Sequence, residues 1–341
     1  MSHSTAKIEH KQTKTTGLKD SSTIVVSSIY IEVLAARSAS APRRRIWAAL
    51  VPDATLLLSE GGVIMGEENP KGYANPDLIW SPKRLHDRMK DQSLRMVDTR
   101  PGEAFAMGHI PGAHHFNTQY LTCDDTDEAP LNSFLRMWAY LLGQRNVSFE
   151  NTILFYDDCS RSPCTRAFWL LELFGHEDVH VLDGGYAAWE RAGLPTTRDS
   201  ELPEPADFKP FFRPQRMATR HDVLSAINDT DKVILDARSA KERAGTDLRA
   251  SRAGSIPNAI HVDWIEHFTP EGTIKPASEL RALFEAVGVT PDKEIIPYCQ
   301  SGGRSSHAYF VLRLLGFPRI RNYMGSWREW GNREEMPIAG P

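Results

Sequence analysis

The chain states one pattern twice. "LLELFGHEDVHVLDGGYAAW" (170–189) resembles "VLRLLGFPRIRNYMGSWREW" (311–330), and the pairs Gly175/Gly316, Gly184/Gly325 and Trp189/Trp330 all differ by 141. Upstream, "MVDTR" (96–100) matches "ILDAR" (234–238) at an offset of 138, which sets Asp98 and Arg100 over Asp236 and Arg238. "HIPGAHHF" (109–116) matches "SIPNAIHV" (255–262) at 146, so the second copy holds about eight extra residues within "AGTDLRASRAG". A period this long means a duplicated domain of roughly 125 residues rather than a solenoid of short repeats. The length of 341 residues also favours two domains.

Each copy has the same coarse layout. A short β-rich run ends in Asp-x-Arg, and an Ile-Pro turn and a short strand follow. An amphipathic helix comes next ("LNSFLRMWAYLLG", "SELRALFEAVG"), ending at Gly, a usual helix stop. A strand then enters a loop ("NTILFYD", "KEIIPY"), and helix, short strand and a last helix near Trp complete the unit. Strands alternating with helices predict an α/β fold with parallel strands covered on both faces. The boundaries read as an extension over 1–74, a first copy over 75–200, a Pro-rich linker over 201–214 and a second copy over 215–341.

The loop after the second copy's strand carries the chemistry. In "EIIPYCQSGGRSSHAYFVLRLLG", Cys299 follows an apolar strand, where open α/β sheets bind ligands. An amphipathic helix, "SSHAYFVLRLLG", follows, and its first N–H groups lack partners and carry partial positive charge. Gly302 and Gly303 permit backbone angles that turn successive N–H groups inward, and Arg304 adds a charge. Such a cradle stabilises a thiolate or an anion carried on its sulfur. The alternative is an inert buried thiol before an ordinary turn. Under the 141 offset Cys299 falls on Asp158, Gly302 and Gly303 on Arg161 and Ser162, and Arg304 on Pro163. The first copy thus keeps the scaffold and lacks the thiol, glycines and arginine. Cys159 and Cys164 make a C-x4-C pair with no second pair of ligands, which reads as ordinary thiols rather than a metal site.

Composition narrows the function classes. A net charge of −4 gives no reason to expect a nucleic-acid partner. Four cysteines are too few for a disulfide scaffold and point to a reducing compartment, read here as cytoplasmic. No run reaches the ~18 apolar residues of a membrane span. The first 64 residues hold no clear periodic element and carry eight basic and five acidic residues. They read as a poorly ordered extension, with mitochondrial targeting as the alternative.

Taken together, "VDTR", "LDAR", "GHIPGA", "LDGGYAAW", "GSWREWG" and the six-residue loop Cys299-Gln300-Ser301-Gly302-Gly303-Arg304 resemble the tandem-domain rhodanese family of sulfurtransferases over residues 75–341. The resemblance implies two three-layer α/β/α domains around small parallel sheets, the first inactive and the second carrying the cysteine. It implies double displacement: Cys299 takes a sulfane sulfur from a small anionic donor, thiosulfate or 3-mercaptopyruvate, as a persulfide. Cyanide, a thiol or a protein thiol then removes it. N–H groups from Gln300 to Ser305 cradle the persulfide, and neither metal nor organic cofactor is needed. A sulfur-relay or regulatory module that binds a protein partner is the alternative.

The donor is left open, because Gln300 and Ser301 are neutral where the thiosulfate branch has two cations. The family's upstream anion-binding arginine aligns with Glu242. Arg243, Arg249 and Arg252 are substitute anion contacts, with solvated surface arginine as the plain reading. Asp236 and Arg238 are expected to orient the loop. Trp80 matches a groove-facing tryptophan, or packs in the core. A cysteine phosphatase needs C-x5-R, whereas Arg304 gives C-x4-R.

Overall fold

The computed structural model describes residues 69–340; the extension expected over residues 1–74 lies outside them as far as residue 68. Both copies repeat one element order. The first has β1 (Ile79–Trp80), α1 (Pro82–Arg88), β2 (Leu94–Asp98), α2 (Gly102–Met107), β3 (His114–His115), α3 (Glu128–Gly143), β4 (Thr152–Tyr156), α4 (Ser162–Leu173), β5 (Val179–Leu182) and α5 (Gly185–Arg191). The second has β6 (Met217–Ala218), α6 (Arg220–Ala226), β7 (Lys232–Asp236), α7 (Ala240–Arg243), β8 (Ile260–His261), α8 (Ala277–Glu285), β9 (Glu294–Tyr298), α9 (Gly303–Leu314), β10 (Asn322–Tyr323) and α10 (Ser326–Trp330).

The first sheet is parallel throughout, in the order β1-β5-β4-β2-β3. The second repeats it in two pieces, β8-β7-β9 and β10-β6. They are joined where Ile295 exchanges backbone hydrogen bonds with Arg319 and Arg321 at 2.9 and 3.0 Å. β4 is buried along its whole length and β9 at every residue but Glu294, as parallel strands covered on both faces require.

α9 departs from the amphipathic expectation. Every residue from Ser305 to Leu314 except Arg313 is buried, and every residue of α4 from Cys164 to Leu173 is buried as well. Each helix covers its own sheet and also packs on the other, with Phe168 edge-on to Phe310 at 4.7 Å. A helix apolar on nearly all sides belongs in a core. Each large apolar side chain so buried contributes roughly 2 kcal/mol. The one acid in this seam, Glu172, accepts from Tyr309 Oη at 2.6 Å and from Arg313 Nη2 at 2.8 Å.

Residues 69–74, assigned to the extension by sequence, belong to the folded body. Lys71 Nζ reaches Asp183 of the first copy at 2.5 Å and the Ile274 carbonyl of the second at 2.8 Å. Tyr73 is buried, and its hydroxyl donates to the Lys275 carbonyl at 2.9 Å. The linker runs along the first copy, where Phe211 and Arg213 donate backbone N–H bonds to Phe174 and Leu173 at 2.9 and 2.7 Å. Among the described residues no helix is long and apolar enough to cross a membrane.

Removing one partner of the Glu172 cluster strands a buried charge or carbonyl-like acceptor demand on the other side. Glu172→Ala, which leaves Arg313 and the Tyr309 hydroxyl unpaired in the seam, should lower unfolding free energy by roughly 3 kcal/mol. Denaturant titration followed by tryptophan fluorescence checks this; a loss under about 1 kcal/mol would mean the seam relaxes around the gap.

Candidate active site

The repeated Asp-x-Arg is a brace at the ends of the two central strands. Asp236 accepts from Arg238 Nε at 2.9 Å, Arg238 Nη2 at 2.7 Å and the Tyr298 hydroxyl at 2.7 Å. Arg238 also donates to the Gly254 carbonyl at 2.8 Å and lies 4.4 Å over the Trp327 ring. The first copy repeats it with Asp98, Arg100 and the Gly108 carbonyl. In the second copy the brace locks Tyr298, the residue before Cys299. Both Asp236 and Arg238 are buried, so they act on the loop and not on a ligand.

Cys299 is 1% exposed. Its N–H donates to Ser326 Oγ at 3.1 Å, and its carbonyl accepts from Trp327 N at 2.9 Å. Gly302 has φ +85°, and a Cβ there would meet Met324 Sδ at 2.3 Å and its carbonyl oxygen at 2.8 Å, so only glycine fits. Gly303 opens α9 with ordinary angles, but a Cβ would stand 2.8 Å from Arg166 Nη2.

Burial pushes the Cys299 thiol up. The Arg304 charge, the N–H groups of Ser305 and Ser301 and the Ser305 hydroxyl outweigh it, and the thiol lies below its ordinary value. Burial raises the other three cysteines, Cys123 to about 11. Arg304 forms a two-pronged ion pair with Glu242, Nη2 to Oε1 at 2.7 Å. Burial raises the Glu242 carboxyl, but the Arg304 pairing and the Ser239 N–H bring it down to about 2. The residue that stands where the family has an anion-binding arginine is therefore the counter-ion of the loop's own arginine.

The ladders correct the pairing between copies. Asp236 pairs with Tyr298 as Asp98 pairs with Tyr156, so Cys299 corresponds to Asp157, not Asp158. The helices keep the 141 offset, and the first loop is one residue longer. Asp157 Oδ1 accepts from the N–H groups of Cys159 at 3.0 Å and Arg161 at 2.9 Å. One backbone cradle thus holds a carboxylate in the first copy and a sulfur in the second.

Other expected contacts are placed elsewhere. Trp80 is in the core, 1% exposed and stacked on His180 at 4.4 Å, not in a groove. Arg252 clamps the C-terminal turn through the carbonyls of Trp330 (3.0 Å) and Met336 (3.0 Å), among others, which leaves no guanidinium face for an anion. Arg243 bridges Asp236 at 3.4 Å and the Ala259 carbonyl at 3.1 Å. Arg249, the surface arginine of the inserted segment, does line the cleft, and its carbonyl accepts from Gln300 Nε2 at 2.8 Å.

That cleft, about 550 Å³, has Cys299 in its wall and draws on both copies. The residue that sequence reasoning missed is Arg166 of α4. It is 3% exposed and donates to the carbonyls of Thr118 (2.9 Å) and Gln119 (2.8 Å) in its own copy and of Ser301 (3.0 Å) in the loop. Burial lowers its guanidinium to about 10, against the pull of the Cys299 sulfur. A lone arginine in the apolar run "CTRAFWLLELF" was the available signal. Among the described residues no cluster of three His, Cys, Asp or Glu side chains could hold a metal.

Arg166 thus fixes the Ser301 peptide, whose N–H faces the sulfur, and adds positive charge. Iodoacetamide alkylation of Cys299 should reach half its plateau rate at lower pH than an ordinary thiol. Arg166→Met should move that midpoint upward, and Arg166→Lys should restore part of it. An unmoved midpoint in a folded Arg166→Met protein would assign the arginine to packing alone.

The Rhodanese-like domain model matches residues 81–192 and 219–333. The chain is 34% identical over 284 residues to the sulfur carrier protein TtuD of Thermus thermophilus, covering 79% of this chain and 98% of that one. It is 32% identical to a thiosulfate sulfurtransferase of Pseudomonas aeruginosa, over 78% of this chain and 98% of the relative. The crystal structure of SseA from Escherichia coli, described as a 3-mercaptopyruvate sulfotransferase, is 29% identical with a TM-score of 0.64, covering 73% of this chain and 98% of that one. With two matched domains, a shared fold and that cysteine-bearing loop, the chain belongs to the rhodanese family.

Proposed function

We propose that the protein is a sulfurtransferase that carries the moving sulfur on Cys299. The observation that supports it most is the lowered Cys299 thiol inside a cradle of N–H groups, while burial raises every other cysteine in the chain. The thiolate attacks the outer sulfur of a donor. The donor's bond to that sulfur breaks (S–S in thiosulfate, C–S in 3-mercaptopyruvate), its electron pair leaves with the donor remnant (sulfite, or the enolate of pyruvate, which takes up a proton), and a Cys299 persulfide forms. An acceptor such as cyanide or a thiol then attacks the terminal sulfur and releases the thiolate. No net oxidation occurs, and the order predicts ping-pong kinetics.

The residues divide the work. The N–H groups of Ser301 and Ser305 stabilise negative charge on sulfur both before and after transfer. Glycine at 302 keeps the loop tight, suited to a single sulfur rather than to a tetrahedral phosphate. Glu242 holds Arg304 against the loop, so its charge is fixed without blocking the sulfur. Ser326 anchors the Cys299 N–H and keeps it out of the cradle.

Mass spectrometry after incubation with thiosulfate, 3-mercaptopyruvate or a low-molecular-weight persulfide should show a gain of one sulfur, lost on adding cyanide and absent in Cys299→Ser. A chain that gains no sulfur from any of the three is not a sulfurtransferase. Arg304→Ala should leave the circular dichroism spectrum intact and lower the transfer rate roughly tenfold or more, because the thiolate loses its nearest cation and faces Glu242 alone. An unchanged rate would make Arg304 a purely structural partner of Glu242.

A further inference from the structure

The two loop positions that carry cations in the thiosulfate branch are Gln300 and Ser301 here, yet the cleft itself is strongly basic. Six arginines and two aspartates line it, in a chain whose net charge is −4. Three of the six are already committed: Arg100 to Asp98, Arg304 to Glu242, and Arg166 to backbone carbonyls. The other three are Arg161, Arg249 and Arg328. Arg161 is exposed, and its side chain has no hydrogen-bond or ion-pair partner among the described residues. Arg249 pairs with Asp247 and Arg328 with Asp124, at 3.0 and 2.9 Å, and all four side chains are at least 40% exposed; Arg249 also lies 3.8 Å from the buried Glu242, whose carboxylate is already taken by Arg304. Exposed pairs of this kind hold their partners weakly and exchange them readily.

These three arginines come from three different places: the start of α4, the inserted segment and α10. They sit at the open side of the cleft, whereas Cys299 is buried. The inserted segment is tied to the loop by the Gln300 Nε2 bond to the Arg249 carbonyl, so the unusual loop residue and the unusual insertion act as one feature. The side chain of Tyr120, 81% exposed, adds a flat apolar wall. The cleft volume, about 550 Å³, is in the range that encloses ligands of many heavy atoms. Thiosulfate has five heavy atoms, with its charged oxygens two bonds from the sulfur that moves, so it fills only a small part of such a cleft.

We infer that Arg161, Arg249 and Arg328 form a specificity site for a thiol persulfide of peptide size, one whose carboxylates lie several bonds from the transferred sulfur. The inference rests on the sulfur-transfer reading above. In the step, the Cys299 thiolate attacks the outer sulfur of R–S–SH and the S–S bond breaks. The electron pair leaves on R–S⁻, the moving sulfur keeps its proton, and Cys299–S–SH forms with no oxidant or reductant. The carboxylates of R stay with the arginines at the mouth and hold the persulfide end over Cys299.

The test uses the full chain with glutathione persulfide, a tripeptide persulfide with two carboxylates, and with thiosulfate. The readouts are sulfur gained on Cys299 by mass spectrometry and kcat/KM for each donor. The native protein should prefer the tripeptide. Arg161→Ala and Arg249→Ala should each lower the ratio of kcat/KM for tripeptide over thiosulfate at least fivefold, mainly through KM. Adding Arg328→Ala should lower it further. A native preference for thiosulfate, or a ratio that does not move in folded variants, overturns the inference while leaving sulfur transfer intact. A native chain that gains no sulfur from these two donors overturns the inference, and one that gains none from 3-mercaptopyruvate either removes the reading it rests on as well.

Discussion

The contact between α4 and α9 governs the arrangement of the candidate site. Neither helix has a face for water, since nearly every position of each is buried. Each must therefore lie between its own sheet and the other copy's helix. Both helices start directly after the loop at the end of a central strand. Burying the two against each other brings the two loops to one cleft, with the N-terminal turns of both helices near it. The cost of exposing Phe168, Leu171, Phe310 or Leu312 outweighs any gain in freedom from separating the copies. The shared cleft is a consequence of hydrophobic burial before it is a feature of chemistry.

Within that frame, each loop solves the same problem of a buried polar atom at the end of a buried strand. Backbone N–H groups at the turn need acceptors, and the first residue after the strand supplies one. In the first copy Asp157 does so with a carboxylate, and in the second Cys299 does so with sulfur. The N–H groups favour an anion in both copies. In the first, burial outweighs them and pushes the Asp157 carboxyl up; in the second, Arg304 adds to them and the Cys299 thiol lies below its ordinary value. The two loops differ in the side chain that faces the cradle, in the arginine that stands at 304 where the first copy has Pro163, in a length shorter by one residue, and in the glycine that the shorter loop demands at 302.

Much of this was legible in the sequence, for physical reasons. Gly175, Gly184 and Trp189 recur at one offset because turns and the closing helix admit few alternatives. Asp-x-Arg recurs because its brace needs a carboxylate and a fork of N–H donors two residues apart. Legibility failed where the partner was backbone or where length changed silently. Arg252 spends its donors on main-chain carbonyls, which leave no complementary residue to notice. Arg166 does the same across the seam. The shift from Asp158 to Asp157 was hidden because the offset taken from the helix is right for the helix and wrong by one for the strand before it. Of the two readings open for Trp80, a groove-facing ring or a core one, the structure takes the second, with the ring buried against His180 and outside the cleft.

The buried charge of Arg166 explains why the first copy cannot be regarded as a bare counterweight. A guanidinium at 3% exposure with no carboxylate partner is costly, and a structural helix has no need of one. Three carbonyls of its own copy and one of the loop bring it to hydrogen-bond satisfaction at most of its donors, but not to charge balance. The group facing it that can carry negative charge is the Cys299 sulfur. Across the seam, the pull of that sulfur opposes the guanidinium's own desolvation. A second cation, beside the loop's own Arg304, is supplied here from the other repeat. That leaves positions 300 and 301 free to be neutral, and Gln300 free to hold the inserted segment in place.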